Sequence, residues 1–215
     1  MKINPNTPEF WDLMNEENQF KLSDSQIYIH KNKIISQWII GKNIKLLNIG
    51  IGNGYLESKI LIQNKDIKLF GIDISKVTIK NIRTKISGNF QVANIKKIPY
   101  EDNLFDFVVA LDVLEHLSCQ DLNMGLLEVG RVIKKKGKLI ISVPLNENLI
   151  DKKLNRHLIS FTLEKLSNLL IRHRFNINRY KYLYAFKNLY SIKSFISKYL
   201  HIKKPNLLII EATKL

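Results

Sequence analysis

The stretch Leu46-Leu47-Asn48-Ile49-Gly50-Ile51-Gly52-Asn53-Gly54-Tyr55 decides the reading of this chain. An apolar run of strand type feeds three glycines at alternate positions, and Tyr55–Gln63 then patterns as a helix. Glycine is required where the backbone turns sharply or where a ligand must approach the main chain with no Cβ in the way. The segment therefore predicts a ligand edge made of backbone, with a purely structural turn as the competing reading.

Asp73 strengthens the ligand reading. It closes a second strand in Phe70-Gly71-Ile72-Asp73-Ile74-Ser75, roughly 20 residues after the glycines, where a carboxylate can accept both hydroxyls of a ribose. A helix N-terminal acid beside Ser75 is the plainer alternative. Glycines and acid together point to a nucleoside-containing cofactor. The spacing is Gly-x-Gly-x-Gly, and Tyr55 stands where a dinucleotide fingerprint would carry its third glycine. The Tyr-x-x-x-Lys matches, Tyr55 to Lys59 and Tyr199 to Lys203, fall in the cofactor helix and near the C-terminus, and no Gly-x-x-x-x-Gly-Lys-Ser/Thr loop occurs.

Outward from this core the pattern alternates strand and helix. Lys45–Ile49, Lys68–Ile72, Asn89–Val92, Phe105–Leu111, Lys138–Val143, Phe175–Tyr184 and Asn206–Ile210 read as strands. Helices are expected over Phe10 to Trp38, from Ser75 as cap to about Ile86, over Asp121–Lys134, and over Thr162 to about His173, with a loop after Pro144. Short β-then-α joints predict a Rossmann-like, doubly wound α/β sheet whose ligands sit at the carboxyl ends of the strands. We divide the chain into an N-terminal helical cap, 1–44, and a cofactor domain, 45–215.

The series of motifs resembles the class I S-adenosylmethionine-dependent methyltransferases, in particular the group related to ubiquinone and menaquinone methyltransferases. It comprises the glycine motif, Gly71-Ile72-Asp73-Ile74-Ser75, Ile98-Pro99-Tyr100 leading to Phe105-Asp106, and Asp112-Val113-Leu114-Glu115-His116-Leu117. Glu128-Val129-Gly130-Arg131-Val132-Ile133 and Gly137-Lys138-Leu139-Ile140-Ile141-Ser142-Val143-Pro144 complete it. The resemblance implies seven strands, mostly parallel with an antiparallel last strand, and S-adenosyl-L-methionine as cofactor. It implies that Asn48, Gly50, Gly52, Gly54, Asp73, Ile74, Asn94, Ile95 and Asp112 surround that cofactor, with Asp73 on the ribose and Asn94-Ile95 facing the adenine. Asn48 and Asn94 depart from the acids usual at their positions.

A sulfonium is already an activated electrophile, so the chemistry calls for alignment of an acceptor and removal of its proton, with no metal. His116, just after the fourth strand, and His157, in the loop after the fifth, are the candidate catalytic residues, and a structural cap at Glu115-His116 is the alternative. Trp11 and Tyr28 are candidates to cover the acceptor, against plain core packing. Cys119 follows the fourth strand without a Pro-Cys context and is not expected to act.

Charge is unevenly placed. Residues 152–215 carry 14 Lys/Arg against two acids, leaving only +3 of the chain's +15 to residues 1–151. An anionic partner is one explanation and an Ile- and Asn-rich composition is the other. Within this third, Lys187–Leu200 patterns as a basic amphipathic helix, with Leu189, Ile192, Ile196 and Tyr199 on one face, suited to an anionic membrane surface. The expected acceptor is therefore a small or lipid-linked molecule, methylated on oxygen. An RNA acceptor, or a non-catalytic binding role, ranks behind it. A single cysteine, and an N-terminal stretch without an apolar signal core, lead us to expect a cytoplasmic protein.

Overall fold

The structure is a computed structural model that describes residues 6–16, 25–186, 190–200 and 203–215. Seven strands form one sheet: β1 (Lys45–Ile49), β2 (Lys68–Asp73), β3 (Asn89–Val92), β4 (Phe105–Leu111), β5 (Ile133–Pro144), β6 (Phe175–Leu183) and β7 (Leu207–Lys214). Their spatial order is β3-β2-β1-β4-β5-β7-β6. Pairings from β3 across to β5 are parallel, and β7 runs antiparallel to both β5 and β6. The expected mostly parallel sheet with an antiparallel last strand is what the chain forms.

Burial on both faces explains why the strands read as continuous apolar runs. In β1, Leu47 and Ile49 face one core and Leu46 the other; in β4, Phe105, Val108 and Ala110 oppose Phe107 and Val109. The first core is roofed by α5 (Cys119–Val132) and α7 (Leu163–Arg172), through Leu122, Leu126, Val129, Leu166 and Leu170. The second is roofed by α2 (Gln26–Trp38), α3 (Tyr55–Gln63) and α4 (Lys76–Arg83), through Ile35, Leu56, Ile60, Ile79 and Ile82. Ser75 caps α4 as expected, accepting from the Thr78 amide at 3.0 Å.

Some boundaries differ from the sequence reading. The expected N-terminal helical section is two helices, α1 (Pro8–Glu16) and α2. β5 begins five residues early because Ile133 already pairs with Phe105, and the left-handed Lys136 (φ 63°) lets the strand resume with shifted register. The expected loop after Pro144 contains α6 (Leu149–Leu154), capped by the Asn148 side chain on the Asp151 amide at 2.8 Å. β7 extends past Ile210 because Glu211, the acid that interrupts its apolar run, is neutralised within the sheet by Arg179 at 2.6 Å. Of the expected basic helix, α8 (Tyr190–Leu200) is present, while Lys187 and Leu189 lie outside the described residues, as does the side chain of Ile192. No helix among the described residues is long and apolar enough to cross a membrane.

Candidate active site

The carboxyl edge of β1, β2, β4 and β5 gathers most of the residues singled out above. Gly50, Gly52 and Gly54 all have left-handed φ, at 70°, 55° and 74°. The Gly50 amide donates to Ile72 O at 2.8 Å, tying the loop to the end of β2. Two of these glycines differ in what surrounds them. A Cβ on Gly54 would lie 2.1 Å from Ile82 Cδ1, whereas one on Gly52 would meet nothing nearer than 3.9 Å. Gly54 is thus demanded by packing against α4, and Gly52 faces open space from which a ligand can reach the main chain.

Asp73 sits across this loop. Its Oδ2 accepts from the Gly52 amide at 3.3 Å and its Oδ1 from the Ser75 amide at 2.9 Å. Burial pushes its carboxyl up to about 6, against the pull of those two amides. An S-adenosyl group fits these residues: a carboxylate for two ribose hydroxyls stands beside a loop where no side chain blocks approach. Ile74 is half-buried beside Asp73. Asn94 is exposed, with its Oδ1 turned back to the Lys96 amide at 3.0 Å. Ile95 points its side chain into the core against Gly125, which leaves only its backbone to face a cofactor.

Asn48 is buried and donates from Nδ2 to Glu57 Oε1 at 2.6 Å. The acid missing from the start of the glycine motif is therefore present nearby, nine residues on in α3. Burial raises the Glu57 carboxyl to about 7. Asp112 leaves β4 in a left-handed conformation (φ 55°), and its carboxylate is shared between Ser142 Oγ at 2.8 Å and the ammonium of Lys31 from α2.

Beyond Asp112 a short 3-10 turn, Leu114–His116, brings Glu115 and His116 beneath the loop that carries His157. The amides of Leu158 and Ile159 donate to Glu115 O at 2.7 and 3.1 Å and fix that loop against the turn. The His116 and His157 rings meet edge to face at 4.7 Å, and Trp11 of α1 packs on His116 at 5.0 Å. His157 Nδ1 lies 2.7 Å from Glu147 Oε2, so Nε2 turns inward, 4.0 Å from Glu115 Oε1. Glu115 is 0% exposed, and neither of its carboxylate oxygens nor His116 Nδ1 has a hydrogen-bond partner among the described residues. Burial, then the neighbouring Asp112, raises the Glu115 carboxyl well above its ordinary range; burial and His157 lower His116 to about 4.

The structure thus joins the two histidines singled out from sequence, and adds Lys31, Glu57, Ser142 and Glu147. No local signal marks these four, because each acquires its meaning from a partner brought by the fold; Lys31 lies 81 positions from Asp112. Tyr28 stands at the glycine loop, donating to Asn53 Oδ1 at 3.3 Å. Cys119 is exposed at the start of α5.

A model of the methyltransferase domain family matches residues 47–141. A Bacillus subtilis protein named as a methyltransferase, YrhH, is 31% identical over 143 residues, covering 64% of this chain and 75% of its own length. The ubiquinone/menaquinone biosynthesis C-methyltransferase UbiE of Rickettsia akari is 29% identical over 146 residues, covering 63% of this chain and 56% of that protein. The chain therefore spans only part of the curated relatives it matches, 62% of a first archaeal one from Methanocaldococcus jannaschii. Among solved structures, a SAM-dependent methyltransferase from Methanosarcina mazei superposes with a TM-score of 0.64 at 21% identity, over 84% of this chain and 97% of that one. Fold, glycine loop and relatives converge, and the chain belongs to the class I S-adenosylmethionine-dependent methyltransferases.

Proposed function

We propose that the protein methylates a hydroxyl oxygen of a small or lipid-linked acceptor. The observation that carries this reading is the Glu115, His116 and His157 cluster beside Asp112, at the sheet edge where the glycine loop and Asp73 end. When bound, S-adenosylmethionine supplies a methyl group on a sulfonium already activated for displacement. Gly50, Gly52, Gly54, Asp73, Ile74, Asn94, Ile95 and Asp112 are the residues we assign to holding it, with Asn48 acting through Glu57. As the acceptor oxygen bonds to the methyl carbon, its proton must leave. His157 Nε2, turned inward by Glu147, is the atom best oriented to receive it. His116, kept neutral by burial, supports it as a hydrogen-bond acceptor.

Residues 1–44 serve as a cap in this scheme. Trp11 lies on His116, Asp12 Oδ1 accepts from Ser75 Oγ at 2.7 Å, and Lys31 holds Asp112. Both described helices of the N-terminal segment thus touch either the ribose or the acceptor side of the proposed site.

The lipid-linked option draws on the surface after β5 and β6. Leu149 (86% exposed), Ile150 and Leu154 on α6 and Phe195 (65% exposed) and Tyr199 on α8 are solvent-facing. Lys152 and Lys153 share α6 with the first three and Lys193 and Lys198 share α8 with the other two, so each helix carries a basic and apolar mixture suited to an anionic bilayer surface. On this reading the protein works in the cytoplasm, peripherally at a membrane. The first test is calorimetric titration with S-adenosylhomocysteine, with Asp73→Ala as control. Mass spectrometry of hydroxylated acceptors presented free and in anionic vesicles then follows. Absence of binding by the parent protein overturns the assignment; methylation at carbon or nitrogen only overturns the oxygen acceptor.

A further inference from the structure

We propose that Glu115, His116 and His157 form a binding site for one divalent transition-metal cation. One ligand atom from each residue lies within 4.8 Å of the others. Around a tetrahedral ion with metal to ligand bonds of about 2.0–2.2 Å the donors stand about 3.3–3.6 Å apart, so a triad within 4.8 Å closes on an ion by side-chain movements of about 1 Å. The His157 Nε2 to Glu115 Oε1 separation, 4.0 Å, is within about 0.5 Å of this spacing.

Three features point to a cation rather than a polar cluster content with itself. Glu115 is buried with both carboxylate oxygens unpartnered, and a buried acceptor of this kind is costly to leave unmet. His116 Nδ1 is likewise buried and unpartnered, and a ring nitrogen of His116 lies within 4.8 Å of the Glu115 carboxylate, so one ion can satisfy both groups. Finally, Glu147 grips His157 Nδ1 through both oxygens, at 2.8 and 2.7 Å. A carboxylate behind an imidazole is the arrangement that fixes the ring and its tautomer for a metal on the opposite nitrogen. Asp112 is already neutralised by Lys31, which leaves Glu115 as the anionic ligand.

Two imidazoles and one carboxylate suit Zn, Mn, Fe(II) or Co better than Mg or Ca, which prefer all-oxygen sets. Three protein ligands leave open positions, where an acceptor hydroxyl would have its pKa lowered and release its proton to solvent; His157 Nε2 would then serve as ligand, and as the base only in the metal-free protein. That catalytic meaning rests on the proposed oxygen methylation; the site itself rests on geometry alone. Sequence reading called for no metal because sulfonium chemistry needs none, so the metal would serve the acceptor.

The test uses tag-free full-length protein, stripped with chelator and titrated with Co²⁺, read by its visible d–d absorption and by metal analysis after desalting. S-adenosylhomocysteine affinity is measured on every sample. The expected result is one equivalent of Co²⁺, displaced by Zn²⁺ and lost in Glu115→Gln, a change that keeps volume while removing a buried charge. His157→Asn should also abolish binding, and Glu147→Gln should weaken it about 10- to 100-fold. Far less than one equivalent, or binding unchanged in both Glu115→Gln and His157→Asn, overturns the site. Metal binding that survives while S-adenosylhomocysteine fails to bind would sink the methyl-transfer reading and leave the metal site standing.

Discussion

Replacing Gly52 and Gly54 one at a time with alanine separates what the fold needs from what the ligand needs. Both have left-handed φ, so alanine costs about 1–2 kcal/mol of backbone strain at either position. At Gly52 that is the whole cost, because the new Cβ meets nothing within 3.9 Å. At Gly54 the Cβ falls 2.1 Å from Ile82 Cδ1 and 2.9 Å from Ile86 Cδ1, and overpacking adds about 1–3 kcal/mol. With about 2–4 °C of Tm per kcal/mol for a chain of this size, Gly52→Ala should lower Tm by a few degrees and Gly54→Ala by roughly 10 °C. Affinity for S-adenosylhomocysteine should rank the other way. Gly52→Ala should weaken it at least about tenfold, or about 1.4 kcal/mol, since on the proposed assignment the methyl group would stand where the ligand meets the backbone. Differential scanning fluorimetry and calorimetry on the two proteins decide the matter. Gly52→Ala binding within twofold of the parent, or a Tm loss equal to that of Gly54→Ala, refutes the assignment of open space at Gly52 to the ligand.

Asp73 has its folded pKa raised to about 6, so acid favours its protonated form. On the proposed role ribose hydroxyls donate to the carboxylate, so S-adenosylhomocysteine affinity should climb as pH rises through about 6 and level off above it. Calorimetry from pH 5 to 8 checks this, and Asp73→Asn should flatten the curve; a flat parent curve counts against the ribose role. Glu57, raised to about 7, favours folding at low pH, and that contribution is present below about 4.5 and lost as pH rises through 7. Glu57→Gln keeps the acceptor for Asn48 and should stabilise the protein at pH 8 by on the order of 1–3 kcal/mol in urea melts, with little effect at pH 4.5. Loss of stability at pH 8 would show the charge is needed there. Restoring the family's acid by Asn48→Asp puts a second carboxylate 2.6 Å from Glu57 Oε1. It should destabilise by about 2 kcal/mol or more at pH 8 and less at pH 5, because like charges cannot both ionise in so small a space. A more stable variant at pH 8 would refute the Asn48–Glu57 compensation.

How far the sequence carries the molecule depends on where each signal is written. β1, β2 and β4 were legible because burial on both faces makes them largely apolar, and Ser75 because a cap bonds to its own chain three residues on. The antiparallel β7 rested on family resemblance, since the apolar run that opens Leu207–Lys214 does not encode direction. His116 and His157 could be singled out, but their meeting could not, because it depends on the Leu158 and Ile159 amides closing on Glu115 O. The Glu128 and Arg131 pair was only a motif in the sequence. In the fold Arg131 binds the carbonyls of Ile98 and Tyr100 at 2.9 and 2.8 Å, and Glu128 takes the Ile98 amide at 2.8 Å, pinning the segment after β3 to α5.

The placement of β7 between β5 and β6 has a consequence for assembly. Strands that are neighbours in the sheet do not arrive in spatial order, and β6 has no partner until β7 enters. Before that moment the parallel half ends on a bare β5 edge, with backbone donors and acceptors open along seven register positions from Lys138 to Pro144. The final strand thus works as a late wedge that seals two edges in one event. A free peptide with the sequence of residues 207–214 would compete for the same slot, and the interval before wedging is when the chain is most open to pairing with another copy of itself.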